Sequence, residues 1–324
     1  PLACSRLTEV KAELHGEEFA GKGEGPEYET IGSLGSACGI DNLAAITKAN
    51  YVCNELGLDT ISTGLTIACA MELYTKGIVS EDEIGMPLPF GDAHAVLKMI
   101  RRTAYRDGFA SEIANGSWRL ARKYGHPEMS VTAKKLEVPS YDARGLKGMG
   151  LLDATSNIGA SHMAGDTAYT ELFGVGTKTD GLTYEGKAEL VKYFQDLFTL
   201  MDATGLCVFV SIRYAVDAVS GYVPTRLAEI MKHATGADYS SASLMVAAER
   251  VYTLERLFLT KAGFSRQDDT LAPRMREPMP AGPVKGQTFE LERVLDDYYI
   301  ARGWDADGIP TQERLERLGI ANYA

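Results

Sequence analysis

The 324-residue sequence is short of cysteine, short of cations and free of long apolar runs, and each shortage removes a class of protein. Five cysteines, Cys4, Cys38, Cys53, Cys69 and Cys207, are odd in number and widely spread. That is not the dense framework of a small secreted domain, so each reads as a buried apolar residue or a metal ligand. Lys and Arg number 33 against 44 Asp and Glu, a formal net charge of −11. This argues against a nucleic-acid surface and a polybasic membrane anchor. No apolar stretch reaches the ~18 residues of a membrane-spanning helix, and no signal peptide is visible. What is left is an acidic globule, expected to be cytoplasmic, with 45% hydrophobic and 24% charged residues. Its length suits about two domains.

The pattern that is present is helical. The first forty residues are Gly-rich and acidic, with Phe19 to Gly25 and Pro26 to Thr30 reading as irregular backbone that passes close to a ligand or lies in solvent. From Asp41, read as an N-cap, Leu43, Ile46, Val52 and Leu56 form one helix face that stops at Gly57. Asp59 and Thr60 cap a second helix, Ile61 to Tyr74, ending near Gly77. Further helices are expected over residues 92–105, 111–124, 185–202, 225–235, 241–259 and 289–302. Loops break the chain near 80–91, 137–150 and 263–288. Strand signals are few, the best being Val208-Phe209-Val210. The expected class is therefore mainly α and multihelical, with helical domains over residues 1–130 and 131–324.

One internal echo stands out. Asn54-Glu55-Leu56-Gly57-Leu58-Asp59 and Asp202-Ala203-Thr204-Gly205-Leu206-Cys207 share an acid or amide, two residues, Gly, Leu and a ligand-type residue, each at the end of an amphipathic helix. Helix C-caps commonly take Gly followed by an apolar residue, which accounts for the form without a ligand. Cys207 reads on composition as a buried structural residue. His162 closes a run of small and polar residues from Asp153, where backbone and side chain can approach a large ligand. Its four companions His15, His94, His126 and His233 show no metal-ligand spacing with it. Glu27 and Glu29 are paired carboxylates on a loop where acid-base chemistry or solvation would fit. The glycines from Gly145 to Gly150 match neither a Rossmann turn nor a P-loop, although Arg144 and Lys147 could meet an anion.

Taken together, Gly25-Pro26-Glu27-Tyr28-Glu29-Thr30, Leu56-Gly57-Leu58-Asp59-Thr60-Ile61-Ser62, Gly148-Met149-Gly150-Leu151 with Ala154-Thr155-Ser156, Gly159-Ala160-Ser161-His162 and Asp202-Ala203-Thr204-Gly205-Leu206-Cys207 resemble the tungsten-containing aldehyde ferredoxin oxidoreductase family, in that family's order. Asp268-Asp269-Thr270-Leu271 and Arg302-Gly303-Trp304 extend the resemblance over essentially the whole chain. It implies the second and third, helical domains of that fold, and a tungsten or molybdenum bis-pyranopterin beside a 4Fe-4S cluster. Cys4 would be the third and Cys207 the fourth cluster ligand, and the first two would lie upstream of Pro1. Asn54, Gly57, Leu58, Asp59 and Thr60 would bind one pterin, and Asp202, Gly205 and Leu206 the other. Asn54 stands where the family usually has Asp. Glu29 and His162 would be the acid-base pair. The implied reaction oxidises aldehydes to carboxylic acids and passes electrons through the cluster to ferredoxin or an electron-transfer subunit. The implied partners are a further N-terminal pterin-binding domain of the same protein and other subunits of a homo- or hetero-oligomer. Two other readings stay open: a benzoyl-CoA reductase-like tungsten enzyme of the same family, and a metal-free helical structural or binding subunit.

Overall fold

A computed structural model describes residues 5–210 and 224–323. The chain forms two compact units, the first ending at Ser140 and the second beginning at Tyr141. Both are mainly helical, and among the described residues the only sheets are two antiparallel ribbons in the first unit. These are β1 (Leu7–Val10) with β2 (Gly21–Glu24), and β3 (Thr132–Ala133) with β4 (Leu136–Glu137). The division falls after residue 140, not 130, because β4 is tied into the first unit. Glu137 Oε1 accepts from the Ser117 N–H at 2.8 Å, the Ser117 hydroxyl at 2.7 Å and Thr66 Oγ1 at 3.3 Å.

The first unit is built on α1 (Leu43–Leu56) and α2 (Thr60–Thr75), with α3 (Ala93–Ala104) and α4 (Ser117–Lys123) packed around them. Asn42, one residue after the expected Asp41, caps α1: its Oδ1 accepts from the N–H groups of Ala44 and Ala45 at 3.0 and 3.2 Å. Asp59 caps α2, accepting from Ser62 N–H at 2.7 Å, so two donors that a helix start leaves unpaired are met locally in α1 and one in α2. Ile67, Met71, Leu73, Val96, Met99, Ile100 and Leu120 bury their side chains in one core with Cys38 and Cys53. The helix expected over 111–124 is broken: it turns at Ala110–Ile113, stops, and resumes as α4 after Gly116, whose φ of +86° no ordinary residue adopts easily.

In the second unit α5 (Lys147–Thr155), α6 (Lys187–Ala203), α7 (Thr225–Thr235), α8 (Ser241–Lys261), α9 (Leu295–Arg302) and α10 (Gln312–Leu318) carry the fold. The long α6 packs against α5, α8 and α9. Phe194, Leu197, Phe198 and Met201 form one buried cluster and Leu200, Leu227, Leu244 and Ala248 another. Between them run buried polar ties. Arg302, fully buried, donates to Asp196 Oδ1 at 2.5 Å and Gln195 Oε1 at 2.6 Å, and Arg256 meets Asp269 through two bonds of 3.0 and 2.8 Å.

Three further expectations are corrected here. Residues 147–150, read as the end of the loop at 137–150, are the first turn of helix α5; 208–210, read as a strand, are helical as well. The helix expected over 289–302 is a tight turn at Leu291–Arg293 followed by α9.

Candidate functional site

In the first unit the site is organised around a compressed turn. Tyr28–Thr30 begins a helical turn that widens into a π-helical segment over Ile31–Gly35 and closes with Ser36–Cys38. Such widened turns cluster at functional sites. The segment lies against α2: Thr30 Oγ1 and Thr60 Oγ1 are 2.8 Å apart, and the Ser33 hydroxyl donates to Thr60 C=O at 3.0 Å. Gly64 makes the approach possible, since a Cβ there would lie 2.6 Å from the Ser33 carbonyl carbon. Glu29 projects from this turn and is only 7% exposed. Its Oε2 accepts the Ser140 backbone N–H at 2.8 Å, and the Tyr28 hydroxyl donates back to Ser140 C=O at 3.0 Å. Oε1 is buried with no hydrogen-bond partner among the described residues. Burial raises the Glu29 carboxyl above its ordinary range, although the Ser140 bond opposes this. Glu27 is separate from it: it is exposed and pairs with Arg6 at 3.2 Å. The two carboxylates of one sequence motif therefore have opposite environments.

The first echo ends α1. Gly57 takes φ +68°, Gly57 N–H donates to Asn54 C=O at 3.4 Å and Leu58 N–H to Cys53 C=O at 2.9 Å. The second echo ends α6 in the same way, with Gly205 at φ +70° and bonds from Gly205 to Asp202 and Leu206 to Met201 at 3.0 and 3.4 Å. These are matching Schellman endings, and nothing lies within 4 Å of a Cβ at either glycine, so both are glycine for conformation and not for space. Asn54 and Asp59 are exposed. Leu58 and Asp59 line a hollow of about 330 Å³ with Ser62, Thr66, Thr103 and Arg106.

In the second unit His162 starts a tight turn, His162–Ala164, capped by the Ser161 hydroxyl. Its ring lies 6.2 Å from that of Tyr141, and burial lowers its pKa. The imidazole is therefore neutral near neutral pH and can accept a proton. Asp202 remains exposed at the end of α6, yet partial burial raises its carboxyl. It shares a pocket with Ser156, which the sequence marked as part of the Ala154-Thr155-Ser156 motif, and with Asn157 and Glu255, which have no assigned role in the sequence reading. The other residue it missed is Gly64, whose signal was an isolated glycine inside a strong helical pattern.

Arg144 and Lys147 are not anion contacts. Arg144 is committed to Asp142, 2.7 Å away, and Lys147 is buried and donates to the carbonyls of Arg144 and Thr288. Cys38 and Cys53 are buried and their thiols are pushed up to about 12, and Cys69 is also buried. Cys207 is exposed, contrary to its reading on composition as a buried thiol. Cys4 lies outside the described residues. Among the described residues no three His, Cys, Asp or Glu side chains gather to hold a metal ion.

The family described as "Aldehyde ferredoxin oxidoreductase, domains 2 & 3" matches residues 1–320. The chain belongs to this family. It is 42% identical over 328 residues to the tungsten-containing aldehyde ferredoxin oxidoreductase of Pyrococcus furiosus and 41% identical to that of Thermococcus kodakarensis. Each alignment takes in 100% of this chain and 52% of the relative, so the chain spans about half the length of the curated relatives it matches. Among solved structures, the active-site complex BamBC of benzoyl coenzyme A reductase with 1,5-dienoyl-CoA superposes with a TM-score of 0.72. Identity there is 20%, with 94% of this chain and 50% of that one covered, which establishes the shared fold.

Proposed function

We propose that this chain is the helical part of an oxidoreductase that converts aldehydes to carboxylic acids on a tungsten (or molybdenum) bis-pyranopterin, with ferredoxin or an electron-transfer subunit accepting the electrons. The balance is an aldehyde plus water giving a carboxylic acid, two protons and two electrons. The observation that carries this reading is Glu29, a desolvated carboxyl with one oxygen anchored and the other unpartnered among the described residues. A carboxyl raised toward the working pH is suited to general acid-base work. His162, kept neutral by burial, would accept the proton that must leave.

The polar groups suit a nitrogen-rich heterocycle. Ring N–H groups need acceptors when desolvated, and Asn54, Asp59 and Thr60 in one unit and Asp202 in the other stand at helix ends with oxygens to offer. Gly57 and Gly205 shape those ends, which Leu58 and Leu206 continue. When bound, the metal-pterin group would supply the two-electron acceptor for the aldehyde. The residues do not by themselves fit a 4Fe-4S cluster, which takes about four thiolates. Cys207 offers one accessible thiol, Cys4 would offer a second, and the other three cysteines are buried. The remaining ligands, like the pterin-phosphate contacts, belong to a further domain of the whole protein in this reading.

The test uses the full-length protein, purified anaerobically. Tungsten or molybdenum, iron and viologen-linked aldehyde turnover are expected, and His162→Asn lowers turnover with metal content unchanged. Reduction of benzoyl-CoA without aldehyde turnover would replace this reading by aromatic acyl-CoA chemistry. A protein without tungsten, molybdenum or iron would be a metal-free helical subunit.

A further inference from the structure

The first unit carries a basic face that its own acids leave unmatched. Trp118 stands in the first turn of α4 and Arg122 one turn further on, and the bonds from Ser117 to Glu137 tie the β3–β4 hairpin to the start of this helix. The Arg122 guanidinium carbon lies 4.6 Å from the centre of the Trp118 ring, and Lys135 Nζ lies 4.8 Å from it. Arg119, three positions before Arg122, shares the face and donates to Asn115 C=O at 3.1 Å. All three cations are exposed, and none makes an ion pair with a described residue. The four carboxylates between residues 106 and 137 are committed elsewhere. Asp107 pairs with Arg102 at 3.2 Å, Glu112 with Lys123 at 3.0 Å and Glu128 with His126 at 3.0 Å, and Glu137 is buried among its hydroxyl and N–H donors.

The hairpin holds Lys135 there under strain. Lys134 and Lys135 make its two-residue turn, with φ of +48° and +72°. A turn of this length needs positive φ at both positions, and Asn-Gly meets that need with least strain. The two lysines are two of the three ordinary residues at positive φ among the described residues. Strain of this kind collects at binding and catalytic sites. Here it sets a second cation on an indole ring that already carries Arg122. The ring restrains both charges, so less freedom is lost when they meet an anion.

We propose that this face docks an acidic electron-carrier protein, with Arg119, Arg122 and Lys135 meeting its carboxylates around Trp118; the partner's kind rests on the reaction proposed above. Trp and Arg are the side chains that most often dominate the energy of a protein interface. The formal net charge of −11 repels an acidic partner from the rest of the surface, so the face also sets the orientation of approach. Three cations are too few to hold a nucleic-acid duplex against that net charge. A second copy docking through the same face would bring like charges together across a twofold axis.

Full-length protein, purified anaerobically, is titrated with an oxidised acidic ferredoxin by calorimetry at about 20 and about 200 mM salt. The wild type is expected to bind, and more weakly at the higher salt. Arg122→Glu combined with Lys135→Glu is expected to weaken binding by roughly 10-fold or more. Lys135→Gly relieves the turn and removes one charge, so its Tm is expected to match or exceed that of the wild type while its affinity falls. No binding by the wild type at low salt, undiminished binding by these variants, or binding of duplex DNA in place of ferredoxin would overturn the proposal. Viologen-linked aldehyde turnover needs no docking face and tests the reaction separately. In a protein without that turnover, ferredoxin binding that the variants lose would still support the face.

Discussion

The backbone N–H of Ser140 donates to Glu29 Oε2 at 2.8 Å across 111 residues of sequence, while the other oxygen of the same carboxyl has no partner among the described residues. The carboxyl is fixed in place without being neutralised. Its pKa is raised in the folded state, so the folded chain holds this proton more firmly than the unfolded one. Stability from this group is present below the ordinary value of 4.5 and declines as pH rises from there through the raised value. Glu29→Gln can accept the same Ser140 bond but has no proton to lose. Its Tm relative to wild type should climb as pH goes from about 4 toward neutrality, even as activity falls. A difference in Tm that does not change with pH would show the carboxyl to be unperturbed.

Gly64 carries the contact that sets the Glu29 turn on α2. A methyl group there would meet Ser33 backbone atoms at 2.6 and 2.8 Å and Leu34 N at 2.9 Å, and backbone cannot swing aside as a flexible side chain does. Gly64→Ala should therefore destabilise the protein, although alanine is the better helix former. The expected cost is about 1–3 kcal/mol from overpacking. Denaturant unfolding followed by circular dichroism measures it. A variant as stable as the wild type would mean that the turn and the helix are not pressed together.

How far the sequence spoke depended on whether the deciding contacts were local. The starts of α1 and α2 were legible because a cap residue and an apolar stripe lie within a few positions, although Asn42 takes the role read for Asp41. Helix α5 was hidden by its own glycines. Gly148 would meet Glu171 and Thr167 side-chain oxygens at 2.7 and 2.8 Å, and Gly150 would meet Ala143 and Phe289, each at 2.7 Å. Tertiary packing demands small residues that local propensity reads as a loop. In the same way the β-branched and aromatic run Val208-Phe209-Val210 is helical. Of the site, Glu29 and His162 were marked by motif, but their contacts are not local: Glu29 meets Ser140, and the His162 ring lies 6.2 Å from that of Tyr141. Glu255 had no local signal at all: it is one acidic residue on a long helix, and its surroundings, the Asn157 amide that donates to it at 3.2 Å and the burial that raises its carboxyl, come from the fold.

Arg302, at the end of α9, draws the second unit together around α6. Its guanidinium carbon sits 3.9 Å from the centre of the Tyr252 ring, and it bonds Asp196 and Gln195 of α6. Tyr298 closes the group, donating to Gln195 Oε1 at 2.7 Å and accepting from Arg302 Nε at 3.1 Å. The charge is fully buried, so its worth lies less in attraction than in what its removal exposes. Arg302→Leu would leave Asp196 desolvated with Lys192, at 2.8 Å, as its remaining ion-pair partner, and would take one of the two donors from Gln195 Oε1, leaving Tyr298. The expected loss is about 3–5 kcal/mol. Arg302→Lys keeps the charge but cannot span Asp196 and Gln195 with one planar fork, so it should recover only part of that loss. If the double variant Asp196→Leu with Arg302→Leu is more stable than Arg302→Leu alone in denaturant unfolding, the cost is that of a stranded charge. If it is no more stable, the cost is lost packing over Tyr252 and the ion pair is not what holds α9 to α6.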